Sequence, residues 1–186
     1  MATLTEWQLR PAGVADRAAI AALIAVSVRE LSCPEYTPEQ RERALETAFT
    51  VDTRLIADQT YWVAETAAGL VGCGGWSRRR TLCGGDLHAV RDDGWLDPAR
   101  EAAKIRAIFV HPRWARQGLG GELLRRAEAA AAAAGFTRLE MGATLTGAPL
   151  YRRAGYVDVE RLEIPIGAGL TLPVIRMEKQ LGERRT

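Results

Sequence analysis

A glycine-rich run at residues 116–121 carries the clearest chemical signal in the sequence. It follows an apolar segment that ends at His111 and precedes a helical pattern that begins near Leu119. Glycines let a ligand approach the backbone, and the first turn of a helix offers unpaired N–H groups and the positive end of the helix dipole. Arg113 and Arg116 add positive charge. The run therefore predicts a binding site for a phosphate or pyrophosphate.

Two common nucleotide-binding motifs do not fit this run. The dinucleotide fingerprint requires a third glycine where Leu123 stands, and the Walker loop requires Gly-Lys-Ser/Thr where the chain has Gly120-Gly121-Glu122. An isolated Gly-x-Gly is also compatible with a plain tight turn that ends in a glycine cap. The phosphate-bearing ligand must therefore be identified from the elements around the run.

Those elements alternate between strand and helix. We expect strands near residues 7–11, 61–65, 70–76, 104–111, 138–141, 156–164 and 172–178, and helices near 16–31, 37–49, 119–134 and 149–153. Glu122 and Arg126 are placed to form an i,i+4 pair. Residues 78–100 show neither the apolar period of a helix nor that of a strand, which predicts a long, partly ordered loop. The order predicts an α/β (α+β) domain with one strand–turn–helix–strand unit in its second half.

Length and composition limit the class of protein. The 186 residues correspond to about one domain at roughly 150 residues per domain, so we expect a single domain over residues 1–186. A hydrophobic fraction of 47% and a charged fraction of 26% exclude a disordered chain. The 25 Lys and Arg residues nearly balance the 23 Asp and Glu residues, which disfavours nucleic acid as a partner.

Membrane and metal sites are also disfavoured. The longest apolar run, residues 18–26, is about half of the roughly 18 residues that a membrane span requires, and no signal pattern precedes it. We therefore expect a cytoplasmic protein without a membrane partner. The three cysteines and two histidines lack metal-type spacing, so no metal site is expected.

Two segments together resemble a known enzyme family. Residues 105–124 read IRAIFVHPRWARQGLGGELL, and residues 150–156 read LYRRAGY. Both are similar to motifs of the GNAT superfamily of acyl-CoA-dependent N-acetyltransferases, and the Leu9-Arg10-Pro11-Ala12 opening and the glycine-rich residues 71–76 fit the same family in order. The resemblance thus extends over most of the chain. It departs at Ala115, where the family usually has Arg or Gln.

The resemblance implies a mixed, mostly antiparallel, twisted sheet flanked by helices. Its two central strands, here residues 105–111 and 138–142, would run parallel and splay apart, and acetyl-CoA would bind in the gap as co-substrate. Backbone groups of Ile108, Phe109 and Val110 would meet the pantetheine arm and the thioester carbonyl. The residues implied around the pyrophosphate are Arg116, Gln117, Gly118, Leu119, Gly120 and Gly121.

Tyr151 stands where many family members have the tyrosine that protonates the departing thiolate of CoA. A phenol with an ordinary pKa near 10 is protonated at neutral pH and can donate that proton. The alternative is that Tyr151 only packs on the short helix. The acceptor amine must also lose a proton, and the candidate bases by residue type are Glu65, Glu101, Glu140, Asp86 and His88.

The acceptor pocket is expected to involve two loops, residues 33–36 and 78–100, since loops carry specificity on a rigid scaffold. Four acidic residues in them could attract a cationic amine or could simply be solvated: Glu35, Asp86, Asp92 and Asp93. We thus expect an enzyme that transfers an acetyl group directly from acetyl-CoA to a primary amine of a small molecule or protein. A non-catalytic acyl-CoA sensor or interaction module of the same fold is the alternative. An edge strand such as residues 172–178 could support a homodimer.

Overall fold

The computed structural model describes residues 7–89 and 91–182, which contain seven strands, five α-helices and two short 3-10 helices. The domain predicted over 1–186 therefore includes termini and one loop position outside the described residues. The strands are β1 (Gln8–Pro11), β2 (Tyr61–Thr66), β3 (Gly69–Ser77), β4 (Ala103–Val110), β5 (Arg138–Thr144), β6 (Val157–Gly167) and β7 (Leu170–Gln180). The helices are α1 (Arg17–Leu31), α2 (Pro38–Glu46), α3 (Thr53–Ala57), α4 (Leu119–Ala133) and α5 (Ala148–Arg153).

The strands form one sheet in the order β1-β2-β3-β4-β5-β7-β6. Every neighbouring pair is antiparallel except β4 and β5, which are parallel and pair only at Ala103 with Leu139 and at Lys104 with Glu140. Beyond Lys104 the two strands separate, although β4 continues to Val110 and β5 to Thr144. The predicted mixed sheet with two splayed parallel central strands is confirmed.

The position of the sheet edge corrects one prediction. Residues 172–178 belong to β7, which lies between β5 and β6 and is hydrogen-bonded on both sides. They therefore present no free edge for a second copy of the chain. The edge strands are β1 and β6, and β6 forms a hairpin with β7.

Helix α4 covers one face of the sheet with the residues that its 3.6-residue period predicts. The buried side chains are Leu119, Leu123, Leu124, Ala127 and Ala131. Leu119 sits so close to β3 that a Cβ at Gly72 would lie 3.0 Å from its side chain, which explains the glycine there. The expected Glu122–Arg126 pair does not form, because Glu122 pairs with Arg125 and the Arg126 guanidinium lies 5.5 Å from the Trp62 ring.

Helix α1 covers the opposite face of the sheet, and side chains alternate between the two faces along β4. Ile108 and Val110 pack against the core under α4, whereas Ala107 and Phe109 pack against the core under α1. β4 thus contributes side chains to the cores on both faces of the sheet.

The predicted start of α2 is confirmed. The hydroxyl of Thr37 accepts a hydrogen bond from the Gln40 amide, and the Gln40 side chain accepts one from the Thr37 amide, as in a capping box. The helix ends at Glu46, earlier than expected, and α3 was not predicted because five residues are too few to show a period. In residues 7–89 and 91–182, no helix is both long and apolar enough to cross a bilayer.

Candidate functional site

A cleft of about 740 Å³ opens where β4 and β5 separate. Its floor is β4 from Ile105 to Val110, and its far wall is the end of β5. One end is closed by α1 and by the segments around residues 48–52 and 83–85, and the other end by residues 115–125 and α5. The cleft is thus lined by six separate stretches of chain, three of which contain the residues that the sequence predicts for the site.

A β-bulge in β4 shapes the floor of the cleft. Cys73 of β3 stands opposite Phe109, whereas Gly75 stands opposite Arg106, so Gly74 alone faces two residues of β4. One of these, Ala107, has a φ of 52°, which for a residue other than glycine costs on the order of 1–3 kcal/mol. A Cβ at position 74 would lie 2.8 Å from the Ile108 side chain, so the bulge requires glycine there. Bulges of this kind redirect the groups that follow them.

The bulge is followed by main-chain amides that face the gap. The His111 amide donates to the Val71 carbonyl of β3 at 2.9 Å. Because successive residues of a strand direct their backbone groups to opposite neighbours, the amides of Ile108 and Val110 point away from β3. On that side β5 no longer pairs with β4. The edge of β4 therefore offers free N–H donors in the part of the strand that β5 does not pair with.

The second group of amides lies at the start of α4. Gly118 is the N-cap with a φ of 89°, and no side chain caps the helix. The first bond of the helix runs from the Glu122 amide to the Gly118 carbonyl at 3.0 Å, so the amides of Leu119, Gly120 and Gly121 lack an acceptor within the helix. A Cβ at Gly120 would lie 3.3 Å from the Leu150 side chain, so a side chain here would crowd the turn.

The structure divides the six residues predicted around the pyrophosphate. Arg116, Gly118, Gly120 and Gly121 line the cleft. The side chains of the other two point elsewhere: Gln117 donates from Nε2 to the Arg113 carbonyl at 2.8 Å, and Leu119 is buried in the core. These two positions can contribute only main-chain groups.

Arginines surround the same end of the cleft. Arg116, Arg125 and Arg153 line it, and Arg125 forms an ion pair with Glu122. Within the described residues, Arg116 and Arg153 have no carboxylate partner. Unpaired guanidinium groups next to free helix amides form an environment for an anion of more than one charge.

Tyr151 of α5 lies in the cleft wall. It is 8% exposed, and its ring meets that of Tyr156 edge to face with centroids 6.0 Å apart. Burial raises the pKa of the Tyr151 hydroxyl above its ordinary value, which keeps the group protonated. Tyr156, by contrast, donates its hydroxyl to Glu128 at 2.9 Å and lies outside the cleft lining. The two tyrosines therefore differ in what their hydroxyls can reach.

The five candidate bases do not line the cleft. Four are carboxylates with other partners: Glu65 accepts from Arg10, Glu101 from Arg80, Glu140 from Lys104 and Arg176, and Asp86 from the Thr53 amide. The fifth, His88, is buried behind Gly84, and burial lowers its pKa. The structure therefore places none of the five candidates, which were named by residue type alone, in the cleft lining.

The carboxylate that does line the cleft is Asp52, which the sequence did not single out. Its Oδ2 accepts from Arg106 Nη2 at 2.7 Å, and its Oδ1 accepts from Arg91 Nη2 at 3.2 Å. Arg106 also donates to the carbonyls of Thr81 and Gly84. A signal for this cluster was present in the sequence, because Arg106 and Lys104 are charged residues inside a strand whose other residues are apolar.

The expected acceptor loops contribute less charge than their composition suggests. Cys83, Gly84 and Gly85 are the cleft-lining residues of the 78–100 loop. Asp92 accepts from the Gly94 amide at 2.9 Å, and Asp93 forms an ion pair with Arg54 at 2.7 Å. From the first loop, Tyr36 is buried, and Ser32 just before the loop lines the cleft. No group of three metal-type side chains occurs in the described part of the chain.

Comparisons with known proteins agree on one family. The family model for the acetyltransferase (GNAT) domain matches residues 57–158, more than half of the chain. A search of curated proteins finds no significant match.

Several solved structures share the fold. A GCN5-related N-acetyltransferase from Rhodopseudomonas palustris has a TM-score of 0.73 and 23% identity, over 97% of this chain and 99% of that one. The PaiA N-acetyltransferase from Thermoplasma acidophilum, in complex with coenzyme A, has a TM-score of 0.65 and 13% identity, over 94% and 99%. A GNAT family acetyltransferase from Brucella melitensis, in complex with acetyl-CoA, has a TM-score of 0.58 and 16% identity, over 96% and 90%.

Proposed function

The chain belongs to the GNAT acetyltransferase family, and we propose that it transfers the acetyl group of acetyl-CoA to a primary amine of a small molecule or protein. The observation that carries this proposal is the gap between β4 and β5, which joins the free amides of α4 at one end to the hydroxyl of Tyr151 in its wall. Two of the solved structures with the same fold are complexes with coenzyme A and with acetyl-CoA, respectively.

We assign the pyrophosphate of acetyl-CoA to the start of α4. The main-chain amides of residues 118–121 would donate to its oxygens, and Arg116 would add charge. Arg153 and Arg125 line the neighbouring wall, where they could meet a further phosphate group. Two observations support the fit: the turn holds free donors, and glycine at position 120 leaves room that a side chain would fill.

We assign the pantetheine arm and the thioester to the free edge of β4. The amides of Ile108 and Val110 face the gap and would act as donors, while Phe109 pairs with β3 and contributes its ring to the cleft wall. A preorganised donor at the thioester oxygen stabilises the negative charge that develops there, and loss of one such donor in another enzyme costs about 2.7–4 kcal/mol.

Tyr151 is our candidate for the general acid. As the amine nitrogen bonds to the thioester carbon and the carbon–sulfur bond breaks, the Tyr151 hydroxyl would give its proton to the departing sulfur. Its place in the cleft wall supports this role. Burial raises the pKa of the hydroxyl, so the group is protonated before the transfer. The phenolate would regain a proton from solvent after the products leave.

The acceptor would enter from the end of the cleft near α1. The lining there is largely uncharged and includes Phe49, Ser27, Ser32 and Thr50. Its carboxylate, Asp52, pairs with two arginines. We therefore propose an amine with an uncharged body, whose own proton leaves to water at the open end. A polyamine or a lysine-rich peptide would find no free carboxylate among the cleft residues that the structure describes.

A thiol-release assay tests the function. The protein is incubated with acetyl-CoA and one amine at a time from a panel that includes tyramine, tryptamine, lysine and spermidine. We expect release of CoA that depends on the amine and is fastest with tyramine and tryptamine, which carry no charge apart from the amine. Calorimetry with CoA measures binding separately. Binding of CoA without release for any amine would support a sensor and overturn the catalytic proposal, and absence of binding would overturn the cofactor assignment.

A further inference from the structure

We propose that Tyr61, a buried residue of β2 outside the cleft, is a positioning residue for acetyl transfer. Its hydroxyl holds the strained peptide unit of β4 that carries the Ile108 amide. This inference rests on the function proposed above and adds to it a side chain that does not touch the ligand. Three features of the described residues carry it: a hydrogen bond, a planar peptide unit, and two glycines that let the ring reach β4.

The hydrogen bond fixes one end of that peptide unit. Tyr61 donates from its hydroxyl to the Ala107 carbonyl at 3.0 Å. The Ala107 carbonyl and the Ile108 N–H belong to the same trans peptide unit, so they point in opposite directions. Holding the carbonyl on the side of β2 and β3 therefore directs the Ile108 N–H into the gap between β4 and β5. The bond also polarises the unit, which strengthens the N–H as a donor.

The hold matters because the peptide unit follows a strained residue. Ala107 has a φ of 52°, and an alanine released from its surroundings prefers a negative φ. Relaxation of Ala107 towards an ordinary strand conformation would rotate the unit and turn the Ile108 amide away from the gap. Tyr61 is 1% exposed and itself has little freedom to move.

The glycines of β3 explain how a side chain of β2 reaches a carbonyl of β4. A Cβ at Gly75 would collide with the Thr60 carbonyl oxygen and would lie 2.9 Å from the Tyr61 ring, and a Cβ at Gly74 would lie 2.8 Å from Ile108. A side chain at Gly75 would displace both the β2 backbone and the Tyr61 ring, and one at Gly74 would displace the bulge. Glycine at these two positions therefore lets β2 and the Tyr61 ring lie close to β3 and lets the bulge form.

The test follows the thioester carbonyl directly and needs no acceptor. Acetyl-CoA labelled with ¹³C at the carbonyl is bound to the protein, and isotope-edited infrared spectroscopy compares its carbonyl stretch with that in buffer. A donor at the oxygen lowers the frequency. We expect the Tyr61→Phe protein to lose at least half of that shift, to bind CoA within about threefold of the wild-type affinity, and to release thiol about tenfold more slowly with the best amine of the panel.

Two further variants separate positioning from a general loss of stability. Tyr36→Phe removes another buried hydroxyl that donates to a main-chain carbonyl, Pro173 O at 2.7 Å, and should keep the wild-type shift. In an Ala107→Gly background, where a positive φ carries no penalty, Tyr61→Phe should cause a smaller loss than in the wild-type background.

A wild-type shift in Tyr61→Phe, or an equal loss in Tyr36→Phe, would overturn the inference while leaving the proposed function intact. A wild-type protein that does not bind acetyl-CoA would instead overturn the proposed function, and the inference with it.

Discussion

Arg106 and Asp52 form a buried ion pair at the floor of the cleft. Arg106 Nη2 lies 2.7 Å from Asp52 Oδ2, and the two side chains are 3% and 2% exposed. Arg106 is the residue before the strained Ala107 of β4, and Asp52 caps α3 by accepting from the Arg54 amide at 3.2 Å. The pair therefore ties the bulged strand to the segment between α2 and β2.

Asp52→Asn should destabilise the protein strongly, because the Arg106 charge would stay buried without its counter-charge. Removal of one partner of a buried pair typically costs about 3–5 kcal/mol. The measurement is the free energy of unfolding in urea. Glu42→Gln is the matched control, since Glu42 pairs with Arg29 at the surface, where solvent screens the charges, and its loss should change the free energy of unfolding little. Equal losses of unfolding free energy in the two variants would show that the buried pair stabilises the protein no more than the surface pair does.

Tyr151→Phe should lower the rate of thiol release by roughly 10²–10⁴ and leave CoA affinity nearly unchanged, because the ring stays and only the proton donor is lost. Thiol release at a saturating concentration of the best amine gives the rate, and calorimetry gives the affinity. Tyr156→Phe serves as the control, because its hydroxyl bonds to Glu128 away from the cleft. If chemistry limits turnover and Tyr151→Phe turns over at the wild-type rate, Tyr151 has no part in proton transfer.

Gly120→Glu should abolish detectable CoA binding. The new side chain would enter the turn at the start of α4, where a Cβ already lies 3.3 Å from Leu150, and its charge would repel phosphate. Ala129→Glu places the same charge on the exposed part of the same helix and should bind CoA as the wild type does. If calorimetry gives Gly120→Glu the same affinity for CoA as the wild type, the pyrophosphate does not bind at this turn.

Stability should fall at alkaline pH, in part because of Cys73. Burial raises the pKa of its thiol from 9.0 to about 12. Between these values the unfolded chain loses a proton that the folded protein keeps, so the free energy of unfolding decreases as pH rises above about 9.

Urea unfolding between about pH 8 and 10.5 measures how much the ionisation of Cys73 contributes to the loss of stability. Cys73→Ala should show a shallower decline, with roughly 2 kcal/mol less loss at pH 10.5 than the wild type. Parallel curves for the two proteins would mean that the thiol of Cys73 ionises normally when folded.

Much of the cofactor end of the site could be predicted from the sequence because its signals are local. The free amides of α4 follow from a glycine turn before a helix, and the apolar period of residues 119–131 orients that helix. The position of Tyr151 relative to the loop followed from the resemblance. The acceptor end could not be predicted, because its candidate residues are charged and only the folded chain decides which charges pair.

By itself the sequence determined every strand, every helix except α3, their order and the glycine turn before α4, since helix periods, caps and glycine turns depend on residues a few positions apart. Only the tertiary structure decided where β4 and β5 separate, which strand lies at the edge and which charges are engaged. The reason is distance along the chain: Asp52 and Arg106 are 54 residues apart, and Tyr61 and Ala107 are 46 residues apart. Such contacts form only when the whole sheet is assembled, and no short pattern records them.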